Sequence, residues 1–192
     1  MIKIAIFASG SGTNAENLIQ HFNQTSDIKV AAVFCNNAKA GVLDRAKRLN
    51  TESLLFSRQE FQDSSFIQKL QELEVDAIVL AGFLWKVPMY LINQFPQKII
   101  NIHPALLPNY GGKGMYGSHV HEAVIQHGDQ ESGITIHLVN EEYDKGKTLF
   151  QAKCPVYPTD TPDELANRIH QLEYKHFPQI VEDYLRQTLI KA

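Results

Sequence analysis

Ile2-Lys3-Ile4-Ala5-Ile6-Phe7-Ala8-Ser9-Gly10-Ser11-Gly12-Thr13-Asn14 passes from a near-continuous apolar run straight into a glycine turn. Such a run is what a parallel strand buried on both faces requires. Beyond the turn, Ala15, Leu18, Ile19 and Phe22 recur at helical spacing, which predicts a helix to about Gln24. Strand, glycine turn and helix open a nucleotide-binding α/β unit: the glycines let backbone approach a ligand, and N–H groups at the helix start can hold a phosphate. The turn is neither GxxxxGK[ST] nor GxGxxG, since Asn14 and Ala15 take the wrong places. A dinucleotide site also wants an acid near the end of the second strand, and that strand, Ile28 to Cys35, ends in Asn36-Asn37. The pattern argues against a P-loop and against NAD, and leaves a phosphorylated substrate open.

The rest of the chain repeats the alternation. Gly41 to Leu49 reads as a short helix, Ser53 to Phe56 as a third strand, and Arg58 to Leu73 as one helix carrying Phe61, Phe66, Leu70 and Leu73. Asp76 to Gly82 is another buried strand. Phe83-Leu84-Trp85-Lys86-Val87 follows, suited equally to core or to a flat apolar ligand pocket, and Pro88 starts a short helix to about Gln94. In Ile99-Ile100-Asn101-Ile102-His103-Pro104, strand alternation points Asn101 and His103 one way and Ile100 and Ile102 the other. Asn109 to Ser118 is glycine-rich and irregular, a mobile loop beside the site. His119 to His127 is helical, and Gly133 to Asn140 alternates Ile134, Ile136 and Leu138 against Thr135 and His137. An acidic loop, Glu141 to Lys147, leads to the strand Thr148 to Val156, whose pattern fits an edge or antiparallel position. From Pro162, with Thr161 as N-cap, a long helix runs toward Leu189, and Pro178 is expected to kink or break it. The expectation is a single domain, 1–192, with a Rossmann-like, mostly parallel twisted sheet, helices on both faces and an antiparallel strand toward the C-terminal half.

Composition sets limits. Of 192 residues 44% are hydrophobic and 20% charged, and the net charge of -3 gives no broad basic field, which disfavours nucleic acid as a partner. No apolar run approaches the ~20 residues of a membrane span, and the start does not read as a signal peptide. Cys35 and Cys154 sit in apolar strand-like runs and read as buried free thiols. Together these imply a cytoplasmic protein. A metal has little support: His119 and His121 stand at i and i+2, which do not share a helix face, and HExxH is absent. His137 reads as a satisfied half-buried histidine. No GxSxG or cysteine nucleophile turn supports a covalent mechanism. Asn101 and His103 remain, with Asp144 in a loop after a strand as the candidate acid. If the three meet, they suit attack of an amine on a carbonyl: an amide N–H for the oxyanion, an imidazole to move the proton, and a carboxylate to raise and orient the imidazole.

Asn101-Ile102-His103-Pro104-Ala105-Leu106-Leu107-Pro108 resembles the signature of the folate-dependent phosphoribosylglycinamide formyltransferases, and the resemblance covers essentially the whole chain. It implies the formyltransferase fold and transfer of a formyl group from 10-formyltetrahydrofolate to a glycinamide ribonucleotide, with no metal. Asn101, His103 and Asp144 are then catalytic. Gly12, Thr13 and Asn14 bind the ribonucleotide phosphate, and Glu173 and His170 bind near the ribose. Leu84, Trp85, Lys86 and Val87 hold the pterin ring, with Arg58, Asn101 and Asn140 also toward the folate. The chain departs from many members in Tyr110 to Gly117 and in the Trp85-Lys86 pair. The competing readings are a formyltetrahydrofolate hydrolase and a non-catalytic phosphate-binding module. Partners are small molecules, and monomer and homodimer stay open.

Overall fold

The computed structural model describes residues 1–189. Seven strands, β1 (Ile2–Ala8), β2 (Ile28–Cys35), β3 (Ser53–Leu55), β4 (Ala77–Leu80), β5 (Ile99–His103), β6 (Glu131–Leu138) and β7 (Thr148–Pro155), form one sheet in the order β3-β2-β1-β4-β5-β6-β7. The first five are parallel, and β6 and β7 are antiparallel additions. The chain reverses direction across the sheet between β1 and β4, and ligands in open α/β sheets bind outside the carboxyl ends at such a switch point.

Alternate side chains of the central strands feed two cores. Ile4, Ile6 and Ala8 face α1 (Thr13–Phe22), α2 (Val42–Arg48), α6 (Ser118–His127) and α7 (Pro162–Leu189). Ala5 and Phe7 face α3 (Arg58–Gln62), α4 (Ile67–Glu72) and α5 (Met89–Gln94). The second core is aromatic: Phe7 stacks on Phe34 at 4.9 Å, and Phe56, Phe61, Phe66 and Phe83 close around them. Both cysteines are buried and free. Thr161 caps α7 as expected, its hydroxyl accepting from the Glu164 N–H. No described helix is long and apolar enough to cross a membrane.

One expectation about helices fails, and of the kink or break expected at Pro178 the break does not occur. The segment from Arg58 to Leu73 is not one helix but α3, a 3-10 turn (Ser64–Phe66) and α4. Asp63 is extended, and its carboxylate accepts from the Ser65 N–H, so a local cap outcompetes helix continuation. Conversely, α7 is not broken at Pro178. The missing proline N–H leaves the Tyr174 carbonyl without its helical donor, and Asn17 Nδ2 on α1 donates to it at 2.9 Å. Pro178 itself is buried against the core, so tertiary packing holds the helix together. The fourth strand is also shorter than expected, closing at Leu80 because Gly82 turns away at φ 75°.

Candidate functional site

The carboxyl ends of β1, β4 and β5 converge on a cleft of about 630 Å³, within the size range of small-ligand sites. Its first wall is the Ser9–Asn14 turn. Gly12 takes φ 78° as the residue before α1, and a Cβ there would lie 2.4 Å from Val42 Cβ, so only glycine lets α2 pack this close. The turn's carbonyls are tied back: Val42 N–H donates to Gly10 and Arg45 Nε to Ser11. Arg45 and Arg48 are in turn held by Glu16. That leaves the N–H groups at the start of α1 facing the cleft, an anion-binding arrangement.

At the next wall, Asn14 Nδ2 donates to Glu173 Oε2 (2.8 Å), and His170 Nδ1 meets the same oxygen at 2.9 Å. Glu173 is buried, and its hydrogen bond is the main cause that raises the His170 pKa. A buried carboxylate with one oxygen committed to two neighbours suits a polyhydroxyl ligand. Thr13, Asn14, His170 and Glu173 therefore share one wall with Gly12.

The opposite side narrows to a slot between Leu80, Phe83, Val87 and Val139, edged by Trp85, Lys86, Asn140 and Asn101. Val87 and Phe83 are core and slot wall at once, which resolves the two readings of that segment: it is both. Leu84 is exposed along the cleft, with its N–H held by the Ser9 hydroxyl at 3.1 Å. Arg58 lies over the Trp85 ring and Lys86 over Tyr143, each 5.7 Å from the ring centre. Asn140 shapes the following loop, accepting from the Glu142 N–H and donating to the Lys145 carbonyl. The flat apolar walls and edge polar groups fit a fused heteroaromatic ring.

Asn101, His103 and Asp144 meet where the two halves join. His103 Nδ1 lies 3.7 Å from Asp144 Oδ2. Its Nε2–H donates to the Tyr110 carbonyl at 2.7 Å, which leaves Nδ1 as the basic nitrogen beside the carboxylate. Burial pushes the His103 pKa down, while Asp144 and Tyr110 pull it back only partly. Burial also raises the Asp144 carboxyl, but the His137 and His103 rings in their protonated forms and the Gly112 N–H outweigh it and leave Asp144 below its ordinary value. Gly112 N–H donates to Asp144 Oδ2 at 2.9 Å. So the glycine-rich segment, irregular as expected, is pinned to both residues.

Sequence reasoning passed over three participants. His137 is fully buried, not half-buried. It is paired with Asn101 across β5 and β6, and its Nε2 lies 3.0 Å from Asn101 Nδ2 and 3.6 Å from Asp144 Oδ1. Its Nδ1–H is committed to the Leu138 carbonyl, so Nε2 accepts from the Asn101 amide and fixes its orientation. Thr135, opposite His103 in the same register, bonds the Ala105 carbonyl and the Leu107 N–H and sets the turn after β5. Tyr110 supplies the carbonyl on His103 and anchors its own hydroxyl on Asp129 at 2.6 Å. The alternation of Thr135 and His137 was the available signal. Their relevance follows only once β6 is paired with β5. Among the described residues no group of three or more His, Cys, Asp or Glu side chains is placed to hold a metal ion.

Residues 2–181 match the family model described as formyl transferase, and the chain belongs to that family. Within it, the chain is similar to phosphoribosylglycinamide formyltransferases. It is 39% identical over 186 residues to the chloroplastic enzyme of Arabidopsis thaliana, covering 93% of this chain and 64% of the plant protein. It is also 39% identical over 189 residues to that of Haemophilus influenzae, covering 95% of this chain and 86% of the relative. The chain thus spans just under two thirds of the plant relatives it matches, 64% and 62% of their lengths. Among solved structures, phosphoribosylglycinamide formyltransferase from Streptococcus pneumoniae TIGR4 superimposes with a TM-score of 0.84 at 34% identity, covering 95% of this chain and 98% of that one. Glycinamide ribonucleotide transformylase 1 from Symbiobacterium toebii gives 0.89 at 29% identity, covering 100% and 91%.

Proposed function

We propose that the chain transfers a formyl group from 10-formyltetrahydrofolate to the amino group of phosphoribosylglycinamide, as a cytoplasmic enzyme acting on small molecules. The observation that carries this reading is the convergence of Asn101, His103 and Asp144 at the junction of an anion-binding turn and a flat apolar slot. The turn of Gly12, Thr13 and Asn14 takes the phosphate, and Glu173 with His170 takes the ribose hydroxyls. Leu84 to Val87 and Asn140 line the slot for the pterin, and Arg58 lies on the folate side. The formyl-folate supplies an activated one-carbon unit.

The side chains then divide the work. Asn101 Nδ2 has two hydrogens: His137 accepts one, and the other is free for the oxyanion that develops as the amine attacks. His103 Nδ1, kept neutral by burial, takes the proton from the attacking amine and returns it to the leaving nitrogen. Asp144 stabilises the imidazolium formed in between. Neither a covalent enzyme intermediate nor a metal is required by these roles.

A spectrophotometric assay following loss of the formyl group from 10-formyltetrahydrofolate, with and without phosphoribosylglycinamide, tests the proposal. Loss that depends on the ribonucleotide supports it. Equal loss without the ribonucleotide makes the chain a hydrolase, and binding of both ligands without loss makes it a binding module.

A further inference from the structure

His121 stands apart from the residues assigned above. It lies on α6, is 3% exposed, and makes no hydrogen bond to any described residue; its Nδ1 is sealed from solvent without a partner. A buried polar atom left unpaired costs stability, and natural proteins retain few of them without reason. Yet His121 lines the main cleft, and its charge state is coupled to His170, Glu173 and His103. Across the cleft wall, Asn14 shows the same condition: its Nδ2 is committed to Glu173 while its Oδ1 is buried and unpaired. Two residues with orphaned atoms, on two different helices, thus line one cleft with the Glu173 carboxylate.

The placement of His121 is also tied to the reacting groups. The segment leading into α6 is fixed at its start by the Tyr110 carbonyl on His103 and the Gly112 N–H on Asp144, and it delivers His121 toward α7, where Glu173 sits. Burial holds the ring neutral, so it offers one donor and one acceptor rather than a cation. A neutral imidazole can serve the uncharged polar part of a ribonucleotide.

We propose that His121 is a substrate-contacting residue that hydrogen-bonds the ribose-to-glycinamide portion of the ribonucleotide, between Glu173 and His103. The proposal rests on the formyl-transfer reading. It assigns the edge of the ring that lines the cleft to affinity for one of the two substrates.

The test uses His121→Phe, which keeps a flat ring and removes the nitrogens, and His121→Gln, which keeps a donor and an acceptor. Calorimetry gives the Kd for phosphoribosylglycinamide, thermal unfolding without ligand gives stability, and steady-state kinetics gives KM for each substrate. His121→Phe is expected to melt no lower than the parent protein and to bind the ribonucleotide about tenfold more weakly, a difference near 1.4 kcal/mol. Its KM for the formyl-folate should be unchanged, and His121→Gln should recover most of the affinity. If phenylalanine is not accommodated, His121→Met serves in its place. Unchanged ribonucleotide affinity in the apolar variant overturns the assignment. So does a lowered melting point with both substrates weakened alike, which marks a purely structural role. A parent protein that binds no phosphoribosylglycinamide overturns the formyl-transfer reading and this assignment together, whereas tight parent binding unaffected by His121→Phe overturns this assignment alone.

Discussion

Replacing Asp144 by asparagine removes one charge while nearly preserving shape. The asparagine oxygen can still accept from the Gly112 N–H, so the segment it pins should stay in place. In the proposed mechanism, what is lost is the attraction between the carboxylate and the His103 imidazolium that forms as the amine gives up its proton. At the 3.7 Å separation found here, with an effective dielectric near 20, that attraction is about 4.5 kcal/mol. Partial access of water through the cleft reduces it, and a residual 3 kcal/mol corresponds to about a 10²-fold loss of rate. Since the imidazolium exists only along the reaction path, kcat should fall while KM for either substrate holds. The pH profile carries a second sign. His103 already lies below 6.5 because burial outweighs Asp144, and the carboxylate is the principal group holding it up. Without it the ring stays neutral to still lower pH, so the acid limb of kcat should move downward even as the plateau drops. Steady-state kinetics across pH with both substrates saturating reads both effects, and a melting curve checks the fold. A variant with near-parental kcat and an unmoved acid limb would refute the proton-transfer role of the pair.

Two further substitutions probe how the site is held. In Gly146→Ala the new Cβ would fall 1.7 Å from the Leu138 carbonyl oxygen, so the loop carrying Asp144 must shift. Overpacking of this kind costs about 1–3 kcal/mol, measurable by denaturant unfolding, and a displacement near 1 Å should lower kcat by up to about 10²-fold. Parental kinetics in this variant would show that the loop's exact path is immaterial. Asn17→Ala removes the donor that satisfies the Tyr174 carbonyl above Pro178, and since that contact is exposed the expected loss is about 0.5–1 kcal/mol in urea unfolding, with kinetics unaltered.

Much of the architecture can be read from runs such as Ile2–Ala8 and Asp76–Gly82, because a strand buried on both faces is apolar along most of its length. The glycine turn after β1 is equally local, and so is the pairing of Asn101 with His103 on one strand face. What local patterns do not carry is registration between distant segments. His137 became part of the site only through its antiparallel pairing with Asn101, and nothing in Gly133 to Asn140 alone separates it from a core histidine. The approach of Asp144 to His103 likewise depends on how the loop after β6 closes, through Leu138 N–H on the Lys147 carbonyl. That α7 runs on unbroken through Pro178 is not legible locally for a related reason: its compensation sits on α1, far away in the chain. The break at Asp63 was different, because Asp63-Ser64-Ser65 is itself a capping sequence, and helical spacing of Phe61, Phe66 and Leu70 concealed it.

The fate of the formyl group tests the transfer reaction most directly. With isotopically labelled formyl on the folate and phosphoribosylglycinamide present, the label should appear on the ribonucleotide amine, one equivalent for each folate consumed. Omission of the ribonucleotide should leave the label on the folate. Release of the label as free formate at the same rate with or without the ribonucleotide would contradict the account.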